Sequence, residues 1–333
     1  MSSFFQIIEN IVKAMIFPGL LYATAGGLLL AGLDRKIIAR MQRRVGPPVL
    51  QPTYDFLKLC GKETIVPHAA NKPVFLAAPF VGYVSLVVMM LLIPIGGYSA
   101  FSGKADLIVI LYLLTIPAVA MIVGGSASGS PFAGIGISRE MVTMMAYELP
   151  LIIVFLSVAK LVGGDSMNFS LQDITAWQEQ NGPVIFSLSM IPAAIAMLLI
   201  IPAEVGTQPF DVAEAETEIC EGPLVEYSGF PLGMFKLGTA VRIFVMTSLF
   251  TSLFLGGITS GIHIGWTVCG VYVGDLLVRG LIHFAICAVI TLLCMTFIHA
   301  ITARLKIEHL FKFYWTVVAG LSLISLILVW IGV

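Results

Sequence analysis

Long apolar stretches separated by shorter polar ones run through the whole chain. A helix needs about 20 apolar residues to cross the hydrocarbon core of a bilayer, and eight stretches approach that length. They are residues 13–33, 74–94, 107–124, 141–162, 184–203, 234–256, 274–300 and 312–332. Helices satisfy their own backbone polar groups, which lipid cannot do. We therefore predict an all-α, polytopic membrane protein with about eight transmembrane helices in one integral membrane domain, residues 1–333.

Basic residues are distributed unevenly between the polar connections. Residues 34–73, the basic segment, are rich in Lys and Arg, and the loop 301–312 adds Arg304, Lys306 and Lys312. The loops 95–106, 163–183 and 257–273 together contain a single Lys or Arg residue, Lys104. Cytoplasmic loops carry an excess of Lys and Arg, so this pattern predicts a multi-pass protein of a prokaryotic cell membrane. With eight spans, both termini would lie outside, and we expect no removable signal peptide.

The basic segment is too long and too regular to be a simple loop. Basic and apolar residues alternate at helical spacing in 34–41, and residues 54–59 repeat that pattern. One interpretation is a pair of amphipathic helices lying at the lipid headgroups. The other is a docking surface for a partner subunit, and the pattern favours the two equally.

Composition changes the range of functions open to the chain. Apolar residues make up 58% and charged residues 11%, whereas a soluble protein has about 25% charged residues. A soluble enzyme, a disordered chain and a nucleic-acid binder are all excluded on this ground, and the net charge of −1 indicates no polyanionic partner. The five cysteines and five histidines form no ligand motif. We expect no metal, no cofactor and no catalytic residue in this chain.

Residues 204–233, the acidic segment, carry the most unusual chemistry. If residues 211–221 were helical, Asp211, Glu214, Glu218 and Glu221 would share one face, where like charges raise one another's pKa. A solvated acidic loop is the plain alternative. Against it, apolar residues are interleaved with the acids, and Pro-Phe and Gly-Pro turns bracket them. Seven acids occur within residues 204–226: Glu204, Asp211, Glu214, Glu216, Glu218, Glu221 and Glu226.

Two further acids, Glu140 and Glu148, belong to the fourth predicted span. A charge in mid-membrane costs about 2.5–3.5 kcal/mol on insertion scales, and such residues often relay protons. Together with the seven acids of the acidic segment, they form a predicted proton path. The alternative is structural, an ion pair of Glu140 with Arg139 or Arg242.

Several short motifs of the sequence resemble those of a known family. RRVGP at 43–47, RE at 139–140, AYE at 146–148, PFD at 209–211 and EYSG at 226–229 resemble the respiratory complex I membrane subunit that abuts the peripheral arm, the NuoH family. The resemblance runs from about residue 30 to 310. GSPF at 129–132, EICEGPL at 218–224 and RVGPPVLQP at 44–52 are more like the matching subunit of energy-converting membrane-bound NiFe hydrogenases and of the related sulfane sulfur reductase.

The resemblance implies a non-catalytic subunit of an ion-translocating oxidoreductase complex. It would seat a hydrophilic arm through Arg43, Arg44, Gly46, Pro47 and Arg139. Its partners would be hydrogenase-like and iron–sulfur subunits, antiporter-like membrane subunits and the lipid bilayer, with no nucleic acid. Iron–sulfur clusters, and in hydrogenases NiFe, would reside in the partners.

Two other functions remain open from the sequence. One is the quinone-binding subunit of an NADH or F420H2 dehydrogenase complex. The other is a stand-alone secondary transporter that uses the membrane acids, although such transporters carry inverted repeats and broken helices.

Overall fold

A computed structural model describes residues 15–96, 106–164, 166–256 and 273–332, without the side chains of Glu216 and of residues 273–277. The predicted outer loops 95–106 and 257–273 fall largely outside this range, as do both termini. The outside location of the termini therefore stays a prediction.

Helices account for nearly all regular structure in the described part of the chain. They are α1 Leu20–Met41, α2 Gln51–Cys60, α3 Lys72–Leu92, α4 Leu107–Ser128, α5 Pro131–Gly163, α6 Leu171–Asn181, α7 Ile191–Val205, α8 Glu216–Ile219, α9 Gly229–Phe254, α10 Val273–Thr291, α11 Phe297–Ile301, α12 Ile307–Phe313 and α13 Ala319–Ile331. A π-helical turn, Leu292–Thr296, joins α10 to α11, and a second, Tyr314–Val318, joins α12 to α13.

Seven helical runs of the described residues are long and apolar enough to cross a membrane, and they coincide with seven of the eight predicted spans. The first prediction, 13–33, begins outside the described residues and continues into α1. This helix extends through Asp34, Arg35 and Lys36, and its described residues do not reach the same apolar length. The predicted class, an all-α polytopic membrane protein, is confirmed.

Helix α9 forms the centre of the bundle. Its spanning window is 89% buried, and it packs against α1, α2, α3, α7 and α10. Its buried hydroxyl groups donate to carbonyls of the preceding turn, as Thr247 does to Ile243 and Ser248 to Phe244. These bonds let a polar helix sit in the middle of the protein, because each of these hydroxyl protons has an acceptor.

Glycines bring α1 directly onto α9. A Cβ atom on Gly27 would lie 2.6 Å from the carbonyl oxygen of Ala240, and one on Gly26 would lie 2.5 Å from the Phe244 ring. Small residues commonly allow such close helix packing in membranes, where burial supplies little driving force between helices. The α1 backbone thus reaches the helix that carries Arg242.

The acidic segment is a packed layer across one end of the bundle. Buried apolar side chains line its inner face: Phe210, Val212, Ala213, Ala215, Ile219, Leu224 and Tyr227. Tyr227 stacks on Phe75 of α3 at 4.0 Å and donates to its carbonyl oxygen. On the far side of the acidic segment, the Leu305 amide donates to the Pro209 carbonyl and holds that edge in place. The interpretation as a solvated loop is therefore wrong.

Residues 211–221 do not form the single helix that would place their acids on one face. Only Glu216–Ile219 is helical, followed by a 3₁₀ turn at Gly222–Leu224. Cys220, Glu221 and Gly222 all adopt positive φ, which no α-helix continues through. The acids therefore point in different directions instead of sharing one face.

The basic segment lies at the same end of the bundle as the acidic segment. The Ile65 amide donates to the Ser228 hydroxyl at 2.8 Å, and the Cβ of a residue replacing Gly229 would meet the Glu63 carbonyl. The two predicted amphipathic stretches are the last turns of α1 and the whole of α2. A direct contact thus joins the two charged segments.

A substitution at Gly136 of α5 tests how closely the acidic segment packs on this helix. A Cβ there would lie 2.5 Å from Pro223 Cδ and 2.9 Å from Gly222 Cα, whereas one on Gly134 meets nothing within 4 Å. We expect Gly136→Ala to destabilise the protein by about 1–3 kcal/mol through overpacking. Gly134→Ala, two residues away, should be neutral or stabilising by up to about 1 kcal/mol.

The measurement is the thermal unfolding midpoint of each purified variant in mild detergent. Equal midpoints for the two variants would contradict the close packing of Pro223 on α5.

Candidate functional site

Two buried charged residues lie at the heart of the bundle. Glu204, in the last turn of α7, is 2% exposed, and Arg242 of α9 is 6% exposed. The Arg242 guanidinium donates to the Glu204 backbone carbonyl at 2.9 Å. Among the described residues, Glu204 Oε1 and Arg242 Nε have no hydrogen-bond partner. Buried polar atoms are rarely left so, and we therefore treat this position as a candidate site.

Three residues of α5 surround this pair. Glu140 lies close enough to Arg242 for their charges to interact. Tyr147 is close to both Glu204 and Arg242, and Glu148 is close enough to Glu204 to affect it. One arginine therefore shares its positive charge among several carboxyl groups. Of the two structural partners expected for Glu140, Arg242 is near it, while Arg139 is engaged elsewhere.

Glu214 connects this group to the acidic segment. It is partly buried, and its carboxyl group interacts with Glu140 and Arg242 on the inner side and with Asp211 and Glu221 on the outer side. Burial raises the pKa of Glu214 to about 7, Glu140 acts in the same direction, and Arg242 opposes both. This carboxyl group is thus poised to gain or lose a proton near neutral pH.

The outer acids divide into paired and unpaired groups. Arg304 binds Asp211 through two parallel bonds, at 2.8 Å and 2.6 Å, and also donates to the Thr217 hydroxyl. Arg139 contacts Glu218 at 2.5 Å. These arginines come from α5 and from the loop before α12, so no local pattern in the acidic segment indicated that they would neutralise its acids. Asp211 and Glu218 therefore also fasten the acidic segment to the bundle.

The remaining predicted acids lie at the margin of this site. Glu221 adopts a left-handed backbone conformation and faces a cavity. Glu226 is partly exposed in the turn before α9. The Glu216 side chain lies outside the described atoms.

A cavity of about 550 Å³ opens between α1, α2, α9 and the acidic segment. Three of the predicted path acids face it: Asp211, Glu214 and Glu221. The sequence did not suggest Asp34, Lys236 and His299 as site residues, yet they also line this cavity. In the sequence, only the amphipathic pattern around Asp34 pointed to this part of the protein. The lining combines many acidic and basic groups, which suits water and small ions.

The predicted docking residues occupy two different settings. Arg43 and Arg44 are exposed in the turn after α1, and Arg43 adopts a φ of 57°. Gly46 packs so close to α1 that a Cβ would lie 2.9 Å from the Ala39 side chain, and Pro47 follows it in a partly buried turn. Arg139 instead binds Glu218 and the Val212 carbonyl. Of these two settings, only the turn that contains Arg43 and Arg44 is exposed to solvent.

Apolar side chains accompany the exposed arginines. Val45 is fully exposed, and Tyr54 and Leu57 of α2 are about half exposed. These residues lie beyond the helical runs that could span the membrane. Large apolar side chains exposed together often mark an interaction surface.

Among the described residues, no group of three or more His, Cys, Asp or Glu side chains could hold a metal ion. Cys60 and Cys220 are exposed free thiols, and Cys287 and Cys294 are buried ones.

The sequence model of the NADH dehydrogenase family matches residues 13–330. The chain belongs to this family. It is 34% identical over 305 residues to the H subunit of the NADH-quinone oxidoreductase of Geobacillus kaustophilus, covering 89% of this chain and 86% of that protein.

Two relatives carry other names. Hydrogenase-4 component C of Escherichia coli is 37% identical over 252 residues, which cover 75% of each chain. A chain in the structure of the membrane-bound sulfane sulfur reductase, an archaeal respiratory membrane complex, superposes with a TM-score of 0.86 at 31% identity. That superposition covers 96% of this chain and 99% of the other. The family resemblance inferred from the motifs is confirmed.

The pKa of Glu214 makes the stability of the protein depend on pH. An unfolded glutamate ionises near 4.5, whereas folded Glu214 ionises near 7. As pH rises between these values, the unfolded state loses its proton first, so stability falls and then levels off above pH 7. We expect Glu214→Gln to abolish this fall and to stabilise the protein at pH 8 by up to about 3 kcal/mol.

Thermal midpoints measured from pH 4 to 8 would check this prediction. Glu308→Gln, which removes an exposed acid of α12, is the matched control and should follow the wild type. A parallel course for wild type and Glu214→Gln would contradict the assignment.

Proposed function

We propose that this chain is the membrane anchor and ion-coupling subunit of a complex I-related respiratory complex. It seats a hydrophilic redox arm on the basic segment, and it starts an ion path that leads towards antiporter-like subunits. Such complexes divide the work, so the electron carriers belong to the arm and the ionisable residues to this chain.

The observation that carries this proposal is the unbroken series of interacting groups from the cavity into the bundle. It runs from Glu214 through Glu140 and Arg242 to Glu204 and Glu148. The unpartnered atoms Glu204 Oε1 and Arg242 Nε lie in its middle.

The coupling follows from electrostatics. An electron that arrives in the docked arm adds a negative charge near the cavity. At an effective dielectric near 20, a unit charge about 10 Å away is worth roughly 1.7 kcal/mol, a little over one pKa unit. Glu214 ionises close to neutral pH, so it would take up a proton in response to this charge. It would pass the proton on when the charge leaves.

Among the complexes of this kind, a ferredoxin-driven membrane-bound hydrogenase or sulfur reductase is the proposed host. The motifs at 44–52, 129–132 and 218–224 support it, as do the matches to hydrogenase-4 component C and to the sulfane sulfur reductase chain. Quinone binding is the second candidate, since the cavity of about 550 Å³ is large enough for a ring. The charged lining of the cavity favours the hydrogenase or sulfur reductase over a quinone-binding subunit. Copurification of a NiFe subunit or of a quinone would separate them.

Neutral variants test the path. We expect Glu204→Gln and Glu214→Gln to assemble normally but to reduce ion uptake per electron transferred at least several-fold, because an amide carries no exchangeable acid proton at this pH. The measurement is ion uptake by membrane vesicles, normalised to electron transfer in the same preparation. Glu308→Gln is the control and should keep the wild-type ratio. Normal ratios in both path variants would exclude these carboxyl groups.

The docking surface needs its own test. Arg43→Ala combined with Arg44→Ala should release the hydrophilic arm during purification and leave this subunit in the membrane, because both side chains are exposed and can bind carboxylates of a partner. Arg44 also donates to the Gln42 side-chain oxygen. Lys306→Ala with Lys312→Ala removes the same charge from exposed positions beside and within α12 and should retain the arm. Native gels of the solubilised complex show the outcome. Full retention in the arginine variant would refute the proposed surface.

A further inference from the structure

The cavity carries a second pair of ionisable groups that the proposed path does not use. Asp34 belongs to α1 and His299 to α11, and both line the cavity that Glu214 also faces. They lie 265 residues apart in the chain, so no sequence motif connects them. Their side chains are nevertheless close enough for their charges to interact.

Asp34 is held in place from the neighbouring helix. It is 8% exposed, and the Thr296 hydroxyl donates to its Oδ1 at 2.6 Å. Thr296 is the last residue of the π-helical turn Leu292–Thr296. Such turns are rare and frequently occur at functional sites. The turn adds one residue to the helix and so sets how Thr296 and His299 face α1.

One ring nitrogen of His299 has no partner in the described part of the protein. This Nδ1 atom is buried, although the residue as a whole is partly exposed and lines the cavity. The buried His283 differs in this respect, since its two ring nitrogens contact Tyr22 at 3.1 Å and Thr251 at 3.2 Å. His299 is thus built differently from a histidine that only fills a core.

Charged groups from every neighbouring element surround the pair. Arg35 lies beside Asp34 on α1, and Cys294 lies near it on the π-helical turn. The cavity wall adds Asp55, Lys58 and Lys62 of α2, Lys236 of α9, and Asp211, Glu214 and Glu221 of the acidic segment. Charges of both signs therefore share the cavity with the imidazole, and Asp34 is a carboxylate whose charge interacts with it.

We propose that Asp34 and His299 form a proton-exchanging pair in the cavity wall, separate from the carboxylate path that begins at Glu214. A hydronium ion in the cavity transfers its proton to the imidazole and becomes water, so one O–H bond breaks as one N–H bond forms, and the Asp34 carboxylate compensates the positive charge. No electron moves. The pair would give the cavity a second proton reservoir, with Thr296 as a positioning residue.

The first test measures proton exchange at this histidine directly. Hydrogen–deuterium exchange at the imidazole C2 position, followed by mass spectrometry of the purified complex from pH 5 to 9, reports each histidine separately. We expect Asp34→Asn to change the pH dependence of His299 exchange, because it removes a carboxylate whose charge interacts with the imidazole. Exposed His309 is the internal control and should not move. Identical His299 curves in wild type and Asp34→Asn would overturn the proposal.

The second test separates exchange from a fixed positive charge. His299→Gln stays neutral and His299→Arg stays charged, so neither exchanges a proton near neutral pH. We expect both to flatten the pH dependence of ion uptake per electron, and His309→Gln to leave it unchanged. A wild-type pH profile in His299→Arg would show that only charge is needed and would overturn the pair. The exchange measurement needs no pumping, so loss of the proposed function would leave it intact as an independent result.

Discussion

The structure depends on one arginine buried among carboxyl groups. Arg242 sits on the most enclosed helix of the bundle, where an isolated charge would be very costly. Its positive charge is what allows Glu140 and Glu204 to be there at all, and those acids in turn reduce the cost of burying Arg242. One arginine thus serves more than one carboxyl group in this part of the bundle.

Around that centre, the arginines are used in two ways. Arg304 and Arg139 each bind an acid at short distance and hold the acidic segment against the bundle. Arg242 makes a hydrogen bond to a backbone carbonyl and leaves its Nε without a partner among the described residues. The first use gives rigidity at the rim, and the second leaves ionisable groups inside that can change state. The same residue type therefore supports both the frame and the reactive interior.

The sequence predicted the fold class and seven of the spans because lipid imposes a simple length and polarity rule on helices. It also identified Glu140, Glu148 and the acidic segment, since acids are rare in such surroundings. It failed over residues 211–221, where left-handed residues at Cys220 and Glu221 stop a helix that the acid spacing suggested. It also missed the contacts of Asp34 with Thr296 and of Asp211 with Arg304, because contacts between segments far apart in the chain leave no local pattern.

The way the acidic segment is fastened has a consequence for biogenesis. Its contacts include Phe75 near the start of the third helix and Leu305 close to the end of the chain. A nascent protein can therefore insert most of its helices while residues 206–228 still lack one of these two contacts. The acidic segment can reach its final position only after residue 305 has been synthesised, so the cavity wall that it forms is completed late in biogenesis.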